Sequence, residues 1–317
     1  MNRRSWTLIA TLFIILGISG MIYQGFGFEE EQPSYTQKWT FGDNELQALS
    51  INSDYHVEFE FINSPDGTNY VEASGNLPQK SIDYLTNTKI ADRSLALQFK
   101  EEHVIRFLSF NFQSSTQHVT VALADPEQAL NQIAVDLNSN NGKFKALRAK
   151  EISLEASSGN MDGREITADH LQVRAHSGRI SLEQVAADTE LRVTSGNVDF
   201  DQFNGSLSVK MTSGDFSAQN LEGDIEATMT SGNLRVSDWT GNGAFKSTSG
   251  NITIKDQRSD SLDIGIHSGN VSVSADPGFK GTYDLGTTSG NIDAPDSPGV
   301  TDDIIKVRST SGNIKIR

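Results

Sequence analysis

The residues of this chain that could do chemistry are its histidines and carboxylates, and the histidines do not have the spacing of a metal site. The histidines show no HExxH or related metal-ligand pattern. They are His56, His103, His118, His170, His176 and His267. Cysteine is absent, which excludes disulfides, thiolate metal sites and a cysteine nucleophile. No G-x-S-x-G elbow, phosphate-binding loop or dinucleotide fingerprint occurs. The sequence therefore predicts no catalytic residue, no metal and no cofactor.

A second set of candidate residues is basic. Arg174, Arg192 and Lys210 recur at intervals of 18 residues in a chain whose net charge is -15. Three stacked like charges are unfavourable unless acids or a ligand offset them. One interpretation is pairing with neighbours such as Glu183, Glu190 and Asp199. The other is an anionic envelope partner, for example teichoic-acid phosphate or a lipid headgroup.

The elements that would position these residues can be deduced from a repeat. A Ser-Gly pair, usually followed by Asn, occurs nine times between residue 158 and the C-terminus. The glycines are Gly159, Gly178, Gly196, Gly214, Gly232, Gly250, Gly269, Gly290 and Gly312. Their spacings are 19, 18, 18, 18, 18, 19, 21 and 22 residues. A fixed period near twenty is typical of a solenoid.

Apolar residues alternate with polar ones on both sides of each glycine, which predicts a half-buried strand before and after every turn. Each unit is too small to bury its own apolar face, so stacked coils must share one core. We therefore predict an all-β, single-stranded β-solenoid with rungs of about 18 residues, right-handed because parallel crossovers favour that hand. Nine rungs would make a rod about 40 Å long.

The Ser-Gly-Asn triplet is explained as a corner of this coil. Glycine supplies a positive φ angle, and asparagine bonds neighbouring backbone through its side-chain amide. Stacked corners would pass hydrogen bonds from rung to rung, as asparagine ladders do. The predicted structural ladder consists of Asn160, Asn197, Asn233, Asn251, Asn270, Asn291 and Asn313.

Paired carboxylates are relevant because polysaccharide-cleaving enzymes also use β-solenoids. Asp162 and Asp199 occupy the same outward column, two rungs and thus about 10 Å apart, near the upper limit for an inverting pair. No cluster of aromatic residues accompanies them. This leaves a carbohydrate-binding or polysaccharide-cleaving solenoid as the alternative to a non-enzymatic one.

The N-terminus carries a targeting signal. Eighteen uncharged residues, Trp6 to Tyr23, come after Arg3 and Arg4 and precede an acidic run. This length can just span a bilayer, and the basic side should stay in the cytoplasm. We predict an uncleaved single-pass anchor in the cell membrane with an extracellular C-terminal domain; a cleaved signal peptide is the alternative. The acidic balance argues against a nucleic-acid partner.

These observations divide the chain into five parts. They are a cytoplasmic tail (1–5), a transmembrane anchor (6–24), a linker (25–45), an irregular β capping region (46–135) and the solenoid repeats (136–317). The sequence stops inside a rung at residues 314–317. The final rung is therefore expected to offer an unpaired edge for self-association or for a partner's strand.

With its repeated T-S-G-N/D-hydrophobic corners, the chain resembles the putative-adhesin family of bacterial exported β-solenoids, and with its N-terminal anchor it is similar to LiaG-type proteins. The corners that carry the resemblance are residues 194–198, 212–216, 230–234, 248–252, 288–292 and 310–314. The resemblance implies a non-enzymatic, adhesin-like interaction scaffold, linked to the cell-envelope stress response. An envelope protein or an anionic wall polymer would be its partner.

Overall fold

Each sequence repeat forms one coil of a β-solenoid in the computed structural model of this protein. The structure describes residues 3–23, 32–101, 115–258 and 261–317. The predicted all-β solenoid is confirmed, and successive coils pair in parallel through most of its length.

The chain has two helices, α1 (Arg3–Tyr23) and α2 (Gln79–Asn87), among the described residues. The strands are β1 (Ser34–Phe41), β2 (Ala48–Ser53), β3 (His56–Asn63), β4 (Asn69–Asn76), β5 (Ser94–Phe99), β6 (Thr116–Leu123), β7 (Leu130–Asp136), β8 (Gly142–Lys145), β9 (Arg148–Ser158), β10 (Met161–Asn204), β11 (Leu207–Ser213), β12 (Phe216–Glu222), β13 (Ile225–Ser231), β14 (Leu234–Thr240), β15 (Gly243–Ser249), β16 (Ile252–Gln257), β17 (Leu262–Ser268), β18 (Val271–Ala275), β19 (Thr282–Ser289), β20 (Ile292–Asp293), β21 (Ile304–Ser311) and β22 (Ile314–Ile316).

The strands form two long walls that we call sheet one and sheet two. Sheet one has the order β1-β4-β6-β3-β8-β10-β12-β14-β16-β18-β22-β20. Sheet two has the order β5-β2-β7-β9-β10-β11-β13-β15-β17-β21-β19. The long β10 belongs to both walls because it bends through two coils without a break. At about 4.8 Å per strand the stack is about 50 Å long.

Three corners close each coil. The Ser-Gly corner has a positive φ, as at Gly250 with φ 127°, where a Cβ would overlap the carbonyl oxygen of Gly232 in the neighbouring rung. A second corner is also made by glycine in rungs such as the one containing Gly223, with φ 130°. The third corner has a left-handed residue other than glycine. Its members are Glu165, Gln184, Gln202, Asn220, Asp238 and Asp256.

Inward side chains from all rungs merge into one hydrophobic core. Phe216 and Trp239 are completely buried, and the ring of Trp239 meets that of Phe245 edge-on at 5.7 Å between centroids. The indole N–H of Trp239 donates to the carbonyl oxygen of Gly223 at 2.9 Å, so its buried polar group is satisfied. This packing makes the walls of the solenoid a rigid support for the side chains on their outer faces.

The N-terminal end of the stack is closed by α2 and by the antiparallel strands β1 and β4. Leu85 of α2 is fully buried. We predicted a linker over residues 25–45, but the structure places strand β1 within this range. Tyr35, Trp39 and Phe41 of that strand are buried. The predicted capping region over residues 46–135 is also more regular than expected, since β2, β3 and β5 to β7 already pair in parallel as the first rungs.

The C-terminal end corrects the prediction that the final rung of the sequence is the open edge. Strand β21 pairs with β17 on one side and β19 on the other. Likewise β22 lies between β18 and β20. The chain therefore places β19 and β20 one rung further out and then returns to fill the gap, so that its last residues are internal. The edge belongs to β19 and β20.

Helix α1 coincides with most of the predicted anchor. In the described part of the chain, no helix has both the length and the apolarity needed to cross a membrane.

Candidate binding face

The outer face of sheet two presents polar side chains in columns that run along the rod. One column, which we call the basic column, contains the three basic residues singled out from the sequence. Strand register aligns Arg192 with Lys210, and Arg174 with Glu155. Arg174, Arg192 and Lys210 also line one groove of about 630 Å³, which we call the basic groove. The structure thus brings the three predicted residues together on a single surface.

Acidic neighbours offset two of the three charges. An Nη atom of Arg174 lies 2.6 Å from Oε1 of Glu155, and an Nη atom of Arg192 lies 2.5 Å from Oε1 of Glu190. The hydrogen bond from Arg192, with a second from Gln172, lowers the pKa of Glu190. Of the three predicted acidic partners, only Glu190 is therefore an observed one.

The other two predicted partners lie on sheet one. Glu183 pairs with Arg164 at 2.5 Å, and Asp199 lies 3.9 Å from Arg179. Sequence spacing placed Glu183 and Asp199 near these basic residues, but the Ser-Gly corners at Gly178 and Gly196 turn the chain from sheet two onto sheet one before it reaches them. The actual partner of Arg174, Glu155, occupies the same column one rung earlier.

Lys210 differs from the two arginines, because none of the described residues forms an ion pair with it within 4 Å. With Asp136, Glu155 and Glu190 counted against Arg174, Arg192 and Lys210, the basic groove is charge-balanced (three positive, three negative), and Lys210 is its one cation outside an ion pair among the described residues. Threonine hydroxyls line the same groove at Thr194, Thr212 and Thr228. Ammonium, guanidinium and hydroxyl donors together suit the oxygens of an anion such as a phosphodiester.

A larger groove of about 1160 Å³ runs beside it over several rungs, and we call it the acidic groove. Its acidic lining residues are Glu151, Asp188, Glu190, Asp224, Glu226 and Asp263. No Phe, Tyr or Trp is among the described residues that line it. This surface is elongated and mostly apolar between its acidic side chains, and its described lining residues supply no aromatic platform of the kind on which sugar rings commonly stack.

The Ser-Gly-Asn corners form a ladder of hydrogen bonds beside this face. The backbone N–H of Asn270 donates to Oδ1 of Asn251 at 3.1 Å, and that of Asn313 donates to Oδ1 of Asn270 at 3.0 Å. The same contact joins other rungs, including Asn141 to Asn160 and Asn313 to Asn291. Oδ1 of Asn160 and of Asn197 accepts a hydrogen bond from the backbone N–H one rung further on. Oδ1 of Asn233 accepts from the side-chain amide of Asn251. These asparagines are occupied with backbone, so the ladder stabilises the coil.

The hydrogen bonds of the second corner and the whole of the third corner were not predicted from the sequence. At the second corner, Oδ1 of Asp188 accepts from the backbone N–H and hydroxyl of Ser206, which lowers the pKa of Asp188. Asp224 accepts from Asn242 in the same way. At the third corner, the left-handed residues were detectable, because a Glu, Gln, Asn or Asp stands six positions after each glycine from Gly159 to Gly250.

The remaining candidates for chemistry do not assemble into a reactive centre. Within the described residues, no group of three or more His, Asp or Glu side chains could hold a metal ion; His103 lies outside those residues. Asp162 aligns with Lys143 and Asp199 faces Arg179, so each member of the candidate carboxylate pair has a basic neighbour. The carboxyls with a resolved pKa shift all have it lowered, whereas a general acid needs it raised.

Comparison with known proteins gives one family match. A family model described as Toastrack DUF4097 matches residues 46–238 and, in a second match, residues 223–317. The matches agree with the resemblance inferred from the repeated corners, at the level of a putative-adhesin-like family. No curated protein matches the chain.

Several solved structures are similar to this chain at low sequence identity. A putative adhesin from Bacteroides fragilis is 14% identical, with 92% of this chain and 100% of that chain covered and a TM-score of 0.34. A putative lipid binding protein from Parabacteroides distasonis is 14% identical, with 90% and 96% covered and a TM-score of 0.42. A putative adhesin from Parabacteroides merdae is 13% identical, with 90% and 96% covered and a TM-score of 0.28. Similarity at this level says nothing about a shared ligand.

Proposed function

This chain belongs to the Toastrack DUF4097 family, and we propose that its solenoid is a non-enzymatic interaction scaffold that binds phosphate-bearing anions at the cell envelope. The observation that carries the proposal is the basic groove. Arg174, Arg192 and Lys210 lie together there, with Lys210 outside any ion pair among the described residues. A ligand phosphate would contact Lys210 directly and compete with Glu155 and Glu190 for the arginines.

We propose a scaffold and not an enzyme because the basic groove lies on the rigid wall formed by sheet two. Phosphate groups spaced along a polymer could contact successive rungs at intervals of about 5 Å without any movement of the solenoid. Such binding would be weak at each contact and additive along the rod. It would also depend on ionic strength, because the groups are exposed.

Membrane tethering is part of the proposal and rests on the eighteen uncharged residues that come after Arg3 and Arg4. The side chains of residues 12–16 on α1 are each more than half exposed, which favours a lipid environment for them. The basic side would be cytoplasmic and the solenoid extracellular. Alkaline extraction of bacterial membranes tests this: the chain should stay with the membrane pellet, and its release would contradict the tether.

The similarity to LiaG-type proteins supplies the setting of this proposal, the cell-envelope stress response. Photo-cross-linking from the outer face of sheet two, before and after a wall-active antibiotic, tests it in cells. The captured partners should change on treatment if the scaffold takes part in that response. An unchanged set would remove the stress response from the proposal and leave the anion binding standing.

Binding itself is tested with a triple variant, Arg174→Gln, Arg192→Gln and Lys210→Gln. The matched control is Arg164→Gln, Arg235→Gln and Lys255→Gln on sheet one. It also removes two paired arginines and one lysine without an ion pair among the described residues. The probes are vesicles with phosphatidylglycerol, vesicles with phosphatidylcholine only, and purified teichoic acid.

We expect the triple variant of the basic groove to bind the anionic probes at least about tenfold more weakly than the control variant does. Teichoic acid and phosphatidylglycerol are separate arms, so the source of the phosphate is identified. Equal binding by both variants would refute the role of the basic groove in anion binding.

A second candidate function is carbohydrate binding, favoured by the length of the acidic groove and by the carboxylates along it. Neutral glycan oligomers on an array test it. Their retention by wild type, and its loss in Glu226→Gln with Asp263→Asn, would support this candidate over the anion-binding one.

A further inference from the structure

The last rung in space, formed by β19 and β20, leaves the interior of the solenoid incompletely covered. Val271, Ile314 and Ile292 belong to one inward column, as the strand register shows. Val271 and Ile314 are at most 1% exposed, whereas Ile292 is 45% exposed. Val300 and Ile304 beside this rung are 74% and 44% exposed. The core of the protein therefore reaches the surface at this end.

The backbone of β19 is also open along part of its length. Strand β21 pairs with one side of β19, and no other strand of the described residues pairs with its second side. The N–H of Tyr283 faces that second side and donates to the hydroxyl of Ser297 at 2.9 Å. Backbone groups alternate along a strand, so those of Leu285 and Thr287 face the same side. The loop containing Ser297 thus covers the start of the edge only.

The edge lacks the charges that normally keep sheet edges apart. The acids within β19 and β20 are neutralised, because Asp284 accepts hydrogen bonds from Arg308 at 2.6 Å and Asp293 lies 3.3 Å from Lys315, whereas the exposed Asp296 and Asp302 lie in the loop that follows β20. Strand β19 itself contains neither lysine nor proline, the residues that commonly prevent edge pairing. The two edge strands are therefore charge-balanced and fit a partner strand that is charge-balanced too.

We propose that β19 and β20 form the interface of a homodimer. In this dimer β19 of one copy pairs antiparallel with β19 of a second copy, about a two-fold axis near Thr287. A second copy meets the requirements because it presents the same neutral edge and the same open apolar column. Ile292 of each copy becomes buried against the other. This inference does not depend on the proposed anion binding, which uses the outer face of sheet two.

Cross-linking of the full chain in mild detergent tests the proposal. The protein contains no cysteine, so a substitution creates a single thiol. Thr288→Cys places it at the edge, and Thr230→Cys places it at the equivalent exposed corner position in the middle of the rod. A short bis-maleimide should link Thr288→Cys into dimers and leave Thr230→Cys monomeric. Equal cross-linking of the two variants would overturn the proposal.

Sedimentation equilibrium gives an independent measurement. Ile292→Lys should raise the dimer dissociation constant at least about tenfold, because a lysine would enter the apolar contact. The matched control is Tyr84→Lys, since Tyr84 is 43% exposed at the opposite end. It should sediment as wild type does. A monomeric wild type at the highest soluble concentration, or equal weakening by both substitutions, would overturn the proposal, and the cysteine result stands even if Ile292→Lys misfolds.

Discussion

The two ends of the solenoid differ in how the apolar residues of the outermost coil are covered. At the N-terminal end α2 and the antiparallel strands β1 and β4 cover the first rungs, and Leu77 and Leu85 are fully buried. At the C-terminal end β19 and β20 have no comparable cover among the described residues, and Ile292 stays 45% exposed. Both ends are built from the same kind of coil. They differ in whether other elements of the chain pack over the outermost coil.

This contrast teaches that burial in the solenoid depends on neighbours more than on residue type. Val271, Ile314 and Ile292 occupy equivalent positions with similar side chains, yet their exposures are 1%, 0% and 45%. A rung buries its apolar residues only when another rung or a cap lies on each side of it. An uncapped end should therefore be the place where association and local opening concentrate.

The largest expected effect is on the free energy of unfolding, and it compares packing at the capped N-terminal end with packing at the open C-terminal end. Leu85→Ala should lower the free energy of unfolding by about 3 kcal/mol, because it leaves a cavity under α2. At protein concentrations low enough to keep the chain monomeric, Ile292→Ala should lower it by less than about 1 kcal/mol, because the side chain is then already half in water. Urea unfolding of the full chain, monitored by tryptophan fluorescence, measures both.

Trp39 and Trp239 allow the cap and the middle of the rod to be distinguished. The indole of Trp39 donates to the carbonyl oxygen of Thr88 at the end of α2, so it reports on the cap. Single-tryptophan backgrounds should show that Leu85→Ala shifts the Trp39 transition more than the Trp239 transition. Equal losses for Leu85→Ala and Ile292→Ala would show that the cap is no better packed than the open end.

An intermediate effect is expected in amide hydrogen exchange. The amides of Leu285 and Thr287 face the open side of β19, and they should exchange at least about 100-fold faster than those of Val307 and Ser309 in β21. Raising the protein concentration should slow them, because dimer formation would pair the edge. Exchange that is slow at every dilution would contradict an open edge.

The sequence was sufficient for the coil but not for the order of the coils. Glycine spacing and alternation predicted the rungs, because each rung repeats the same corner and the same inward columns. The same equivalence hides which rung lies outermost: Leu285 and Val307 occupy identical patterns, and nothing local says that β21 inserts between β17 and β19. The longer spacings of 21 and 22 residues were the available signal, since they leave room for the connecting loops.

The candidate site was predictable to a similar degree. Periodicity placed Arg174, Arg192 and Lys210 on one surface, because column positions are fixed by the period. It identified Glu190 but not Glu155, and it misplaced Glu183 and Asp199, because the Ser-Gly corners turn the chain onto sheet one before these two acids. Helix α2 was not predicted either: it is nine residues long and has only Ile82 and Leu85 at helical spacing.

The smallest expected effect concerns a turn between β3 and β4, near the capped end. Asp66 accepts hydrogen bonds from the hydroxyls of Thr68 and Ser64 and from the N–H of Thr68, with the Thr68 hydroxyl closest at 2.7 Å. These bonds lower the pKa of Asp66 from its ordinary value of 3.8 to about 2. A lowered pKa in the folded state means that the ionised carboxylate stabilises the fold above pH 3.8, and that this contribution is lost as the pH falls through about 2.

Asp66→Asn should therefore be less stable than wild type near neutral pH, and the difference should vanish at pH values below about 2. Thermal unfolding of both proteins over this pH range measures it. The turn is fully exposed, so the effect should be much smaller than that of Leu85→Ala. A difference that persists unchanged into acid would mean that Asp66 supports the turn through its shape and not its charge.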